Sequence, residues 1–203
     1  MSNSYRTILE SQCHPLAPLP TGVAPRLRRL TGIRAVLFDV YGTLFISASG
    51  EVGTTIVEGR ATALSQAFAE VGLRMRGDSQ YAVQCWLDAI HDSHCRSKQQ
   101  GVTYPEVDIV EVWSNCLTRL SNEQRLDGDL TNVDVRQLAV QYEVRTNPTW
   151  PMPHVQTCLE ALRHRQKLLG IISNAQFFTL ELFPALWGGT LDELGFEPGL
   201  QFY

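Results

Sequence analysis

The sequence predicts an α/β fold in which a parallel-sheet core is interrupted by an all-helical insertion. Three observations carry that prediction. Two short apolar runs, Ala35-Val36-Leu37-Phe38 and Leu168-Leu169-Gly170-Ile171-Ile172, read as strands buried on both faces. The long stretch between them places its apolar residues at helical rather than alternating spacing. The resulting order is strand, helical block, helix, strand, helix, strand, and right-handed crossovers lay such strands parallel.

Each element has its own local signal. Residues 1–33 are expected to form an extended arm, because Pro15, Pro18, Pro20 and Pro25 exclude a continuous helix and push their predecessors toward extended conformations. Arg26, Arg28, Arg29 and Arg34 make one basic cluster, read as a solvated linker. The first strand ends at Asp39, and a loop with glycine and serine follows over 42–53. A first helix over 54–71 carries Ile56, Ala61, Leu64, Phe68 and Val71 on one face. A second over 78–98 starts at Asp78 and shows Val83, Trp86, Leu87 and Ile90. The third begins at Asp108 with Glu111 three residues on, a capping-box arrangement, followed by Val112, Trp113, Cys116, Leu117 and Leu120. A fourth, over 133–145, has Val135, Leu138 and Tyr142.

The proline-rich run 147–153 is a stiff breaker that divides subdomains. Beyond it, Val155, Cys158, Leu159 and Leu162 mark a helix leading into the second strand. Another helix is expected over 177–187, and a third strand begins at 200. The chain thus divides into an arm (1–33), a core (34–50 and 149–203) and a helical cap (51–148). Two or three parallel strands are too few to close a sheet, so the core is expected to be incomplete on its C-terminal side.

Composition narrows the function. With 203 residues, 44% apolar and 19% charged, the chain has ample material for a packed core. No apolar run approaches the roughly 20 residues of a membrane span, and the first twenty residues lack the apolar stretch of a secretory signal. A net charge of −4 argues against nucleic acid as the main partner, and no membrane partner is expected. Five scattered cysteines without a CxxC fit free thiols in a reducing cytosol, so a cytoplasmic location is expected. Of the 17 basic residues only Lys98 and Lys167 are lysines.

In open α/β sheets, function gathers at the carboxyl ends of strands. There the first strand delivers Asp39, an aspartate rising from an apolar strand into a glycine turn, held rigidly yet approachable as a nucleophile. Gly42 permits the turn, and Tyr41 and Thr43 offer hydroxyls. The second strand delivers Ser173 and Asn174, expected at a helix N-terminus where free N–H groups favour an anion.

The run AVLFDVYGTLF (35–45) resembles the first motif of the haloacid dehalogenase superfamily, and IISNA (171–175) resembles its second. The helical insertion matches the position of that family's cap. The resemblance covers about residues 33–203. It implies a Rossmann-like core and attack by Asp39 on phosphorus or carbon, giving an aspartyl-enzyme ester that water hydrolyses. It implies a small anionic substrate contacted by Gly42, Ser173 and Asn174. For a phosphatase it implies Mg²⁺ held by the Asp39 carboxylate and the backbone carbonyl of Tyr41; for a dehalogenase it implies no metal.

Two departures weigh on the reaction. The family's phosphatases place a second aspartate, as acid–base catalyst, where this chain has Tyr41; a phenol with an ordinary pKa near ~10 is a poor proton shuttle at neutral pH. Tyrosine there resembles the 2-haloacid dehalogenase branch, whose halide leaves unprotonated. A ring-packing role for Tyr41 stands beside a catalytic one. The family's later lysine and acidic pair have no counterpart among these residues, since Lys98 lies in the insertion and Lys167 precedes the second strand. The leading expectation is therefore hydrolysis of a small organic phosphate ester, followed by 2-haloacid dehalogenation and by a catalytically silent binding domain. Elsewhere, His91, His94 and Cys95 share a helical face but read as a solvated helix end. Trp86 and Trp113 read as cap core, and Arg60 as a surface helix arginine ahead of a substrate contact.

Overall fold

The computed structural model describes residues 2–47 and 57–203. It opens with a helix, α1 (Ser2–Gln12), where an extended arm was expected. The prolines begin only at Pro15, so the upstream Tyr5, Ile8 and Leu9 are free to use their helical spacing, and all three are buried. Residues 14–34 have no regular structure and are mostly exposed. Then come β1 (Ala35–Phe38), β2 (Phe45–Ser47), α2 (Val57–Glu70), β3 (Arg74–Met75), α3 (Ser79–Gln99) and α4 (Ile109–Asn122). The chain continues through β4 (Leu126–Asp127), α5 (Val135–Thr146), β5 (Thr149–Pro151), α6 (Val155–His164), β6 (Leu168–Ile172), α7 (Leu182–Leu186) and β7 (Phe196–Phe202). The expected start of the first insertion helix at 54, and the second half of the loop before it, lie outside the described residues.

Aspartates set the helix starts. Asp78 accepts from the Gln80 N–H, Asp108 from the N–H groups of Val110 and Glu111, and Asp134 from that of Gln137. Such caps contribute about 1 kcal/mol each. Glu111 pairs across to Arg96 of α3 at 2.6 Å. The helix expected over 177–187 is shorter: a single 3-10 turn, Thr179–Glu181, precedes α7. Pro184 is tolerated because it falls in the first turn of α7, where a backbone N–H has no intrahelical acceptor.

The three-stranded parallel sheet has the order β1-β6-β7. Ala35 pairs with Leu168 and Phe38 with Ile171, which brings Asp39 and Ser173 to the same edge. The third strand begins at Phe196, earlier than its sequence suggests. The expectation of strands buried on both faces holds for one face only. Leu169 and Ile171 are buried, whereas Leu37, Leu168 and Ile172 are 42%, 46% and 56% exposed. Where the sequence reads as loop and breaker, β2 and β5 instead pair antiparallel, Phe45 opposite Pro151 and Ser47 opposite Thr149. This ribbon stands where the chain leaves the sheet for the helices and where it returns.

The helices bury their apolar stripes against one another, within a core continuous with that of the sheet. Trp113, Leu64, Leu120 and Leu138 are fully buried, with the rings of Phe68, Trp86 and Tyr142 packed around Trp113. Arg60, expected on the surface, is also buried: its guanidinium lies 6.0 Å from the centre of the Trp86 ring, and its Nε has no hydrogen-bond partner. Helix α1 packs against both α5 and α7. The Tyr5 hydroxyl reaches the Asp134 carboxylate at 3.4 Å, and its ring meets Phe177 edge-on at 5.8 Å. Among the described residues, no helix is long and apolar enough to cross a membrane.

Candidate active site

Asp39 leaves the end of β1 exposed, with Oδ1 accepting the Val40 N–H at 2.8 Å. The turn that follows is tied down by the Val40 carbonyl, which accepts from the N–H groups of Leu44 and Phe45 at 2.9 Å. Gly42, at φ +76°, takes the left-handed conformation that a side chain would resist. Buried Val40 and Leu44 anchor this turn beneath the aspartate. One link in the site is therefore local: an apolar strand, a glycine turn and two apolar anchors fix where the carboxylate stands.

A cavity of about 600 Å³ opens above it. Asp39, Tyr41, Ser173 and Asn174 line its sheet side, and Trp86, Glu143 and Asn147 line its helical side. Four of the six residues singled out in the sequence are thus brought together. Gly42 and Thr43 do not line the cavity, and Thr43 is exposed. The expected helix N-terminus at Ser173-Asn174 is also absent. Residues 173–176 are not helical, α7 begins only at Leu182, and the Ser173 N–H donates to the Phe202 carbonyl at 3.1 Å. Any anion there meets side-chain donors, without the aligned N–H groups of a helix end.

Tyr41 is held by structure. Its hydroxyl shares a 3.0 Å hydrogen bond with Oγ1 of the fully buried Thr179. Burial, reinforced by the charge of Glu143, pushes the phenol well above its ordinary value. A phenol so bound and so weakly acidic is a poor proton shuttle near neutral pH.

Sequence reasoning missed three polar groups. Glu143 enters the cavity from α5, its Oε1 accepting from Asn147 Nδ2 at 2.9 Å, while Asn147 Oδ1 accepts from Ser47 Oγ at 2.8 Å. Gln176, two residues past Asn174, brackets the start of α4. Its Nε2 donates to the Val107 carbonyl at 3.0 Å, and its Oε1 accepts the Ile109 N–H at 3.3 Å. The sequence offered only one faint signal for any of these, a lone acid between the buried Tyr142 and Val144. The His91–Cys95 pair forms a 3.4 Å contact on α3, and among the described residues no group of three or more His, Cys, Asp or Glu side chains is placed to hold a metal.

No protein-family model and no curated protein sequence matches the chain. Solved structures do. An L-2-haloacid dehalogenase is 20% identical, over 84% of this chain and 69% of that one, with a TM-score of 0.37. A predicted phosphoglycolate phosphatase from Haemophilus somnus 129pt is 16% identical, over 86% of this chain and 63% of its own length, with a TM-score of 0.37. A further dehalogenase is 15% identical, over 84% of this chain and 67% of its own, with a TM-score of 0.34. This chain therefore spans 63–69% of the length of these neighbours. Each neighbour is named for a dehalogenase or a phosphatase, and this chain is similar to them over most of its own length.

Proposed function

We propose that the chain is a hydrolase of the haloacid dehalogenase type in which Asp39 attacks a small organic phosphate ester. The observation that carries this reading is the placement of Asp39: a strand-end carboxylate facing a 600 Å³ cavity, at the same sheet edge as Ser173 and Asn174. With Oδ1 occupied by the Val40 N–H, Oδ2 is the attacking atom. An Oδ2–P bond forms as the bond to the leaving oxygen breaks, that oxygen taking a proton from solvent, which the attacking water of the second step gives back. Water then attacks phosphorus, releasing phosphate and restoring the carboxylate. Ser173 and Asn174 donate to the anion's oxygens.

Mg²⁺ fits the donors present. No hydrogen bond among the described residues reaches the Tyr41 carbonyl oxygen, two residues past the Asp39 carboxylate. Mg²⁺ commonly takes one or two carboxylates, with water and substrate phosphate completing its shell. Bound there, it would supply positive charge against the phosphoryl oxygens, in a cavity whose described lining has no Arg, Lys or His side chain.

Tyr41 also supports a second reading, a 2-haloacid dehalogenase. With its phenol tied to Thr179, the turn offers no ready proton for a leaving group, and halide needs none. One pair of assays decides between them. Phosphate release from an aryl phosphate, stopped by EDTA and restored by Mg²⁺, supports the phosphatase; metal-independent halide release from a 2-haloacid supports the dehalogenase. Turnover of neither leaves the silent binding domain.

A further inference from the structure

Among the described residues, Glu143 is a carboxylate without an ion-pair partner. It stands on α5 facing the cavity, and one of its oxygens is fixed by Asn147. No ion pair reaches it among the described residues. The arginine nearest in sequence, Arg145, turns instead to Gln141 and to Glu70, the latter at 3.2 Å. Arg60 is committed to the Trp86 face. Burial pushes the Glu143 carboxyl above its ordinary value, a shift only partly opposed by the Asn147 hydrogen bond. Such a group is stabilised by whatever cation enters beside it.

The surroundings match that demand. Among the described residues the cavity's charged lining consists of Asp39 and Glu143, both acidic, and its walls include the aromatic side chains of Tyr41 and Phe178 beside Trp86, whose ring already carries Arg60. An aromatic ring attracts a cation over its face. The Ser47–Asn147–Glu143 chain of hydrogen bonds fixes the carboxylate's position, so a ligand meets a prepared acceptor.

We propose that Glu143 and the aromatic wall beside it form a subsite for an ammonium group, so that the substrate carries a primary or substituted amine at the end away from Asp39. An aminoalkyl or aminoaryl phosphate is the class this describes. The assignment of the reacting end rests on the hydrolase reading; the ammonium subsite does not.

The test therefore begins with phosphate-free probes. Benzylammonium and benzyl alcohol are nearly the same size and differ in charge, and their binding to the wild-type chain, Glu143→Gln and Asp39→Asn is followed by NMR titration. Wild type should bind benzylammonium at least about tenfold tighter, since charge-assisted hydrogen bonds are about twice as strong as neutral ones. Glu143→Gln keeps the acceptor for Asn147 and should abolish the preference, while Asp39→Asn should retain it. Glu143→Asp, which draws the carboxylate back by one methylene, should fall between, a check against a variant that merely misfolds. Equal binding of the two probes by wild type, or a preference lost in Asp39→Asn and kept in Glu143→Gln, overturns the proposal.

A second comparison uses 2-aminoethyl phosphate and n-propyl phosphate. The ratio of their kcat/KM values should fall about tenfold in Glu143→Gln. An unchanged ratio, with kcat lost for both and the pH profile altered, would make Glu143 an acid–base group and overturn its recognition role. Failure to hydrolyse either, with the benzylammonium preference intact, removes the hydrolase reading and leaves the subsite standing.

Discussion

In the helical block, Trp113, Leu64, Leu120 and Leu138 are fully buried between helices, whereas in the sheet Leu37, Leu168, Ile172 and Phe202 are each at least 42% exposed. The pairing of Ala35 with Leu168, Leu37 with Gly170 and Ile172 with Phe202 puts these four on one face. The opposite face, with Leu169, Ile171 and Phe196, is buried. The difference follows from geometry. An amphipathic helix needs cover along one stripe, which neighbouring helices supply, but a parallel strand needs cover on both faces. The same kind of apolar residue thus contributes much to stability in one region and little in the other. The candidate site lies on the seam between them, where chemistry and stability are separable.

That separation is broken or sharpened by four measurements. The largest effect is expected at the seam: Asp39→Asn should lower turnover by more than about a hundredfold while leaving the thermal midpoint unchanged, because the amide is nearly isosteric but not a nucleophile. Turnover above that level would remove Asp39 from the chemistry. Next, Trp113→Ala in the block should cost about 3–5 kcal/mol in urea unfolding. Ile172→Ala on the bare sheet face should stay within about 0.5 kcal/mol. Similar costs for the two would erase the contrast.

A smaller effect is expected at Gln176, whose amide joins the loop after β6 to the start of α4. Gln176→Ala should cost about 1–3 kcal/mol through unpaired backbone groups and speed amide exchange at Ile109. Unchanged exchange there would mean the bracket holds nothing. The smallest is a pH effect. Because burial raises the folded pKa of Glu143, its favourable contribution is full below the ordinary value of 4.5 and is lost as pH rises through the higher folded value. Glu143→Gln should therefore gain stability over wild type at neutral pH and lose that gain in acid. A gain independent of pH would place the effect in packing.

The sequence made local features legible and left the non-local ones dark. Asp78 and Asp108 announced their helices because a cap is decided within a few residues, and Leu168–Ile172 announced a strand because its apolar run is continuous. Helix α1 was legible too, in Tyr5, Ile8 and Leu9, but the prolines downstream outweighed that spacing. The β2–β5 ribbon joins residues about a hundred positions apart, and no short-range pattern encodes such a pairing. At the site, Asp39, Ser173 and Asn174 stand at strand ends, where position follows from topology. Glu143 and Asn147 matter because α5 and its C-terminal cap bring them to the cavity, and Gln176 because the loop after β6 reaches across to α4. Arg60 looked like surface for the same reason, since its burial depends on Trp86 arriving from another helix.

Helix α1 gives the seam a mechanical character. Tyr5 touches Asp134 at the head of α5 and Phe177 in the loop before α7, so one side chain grips the helical block and the sheet region together. Arg136 of α5 adds a second grip, its guanidinium 4.8 Å from the centre of the Phe177 ring. Together with the Gln176 bracket on the start of α4, these contacts tie the two walls of the cavity to each other. Tyr5 does so from a part of the chain that does not itself line the cavity.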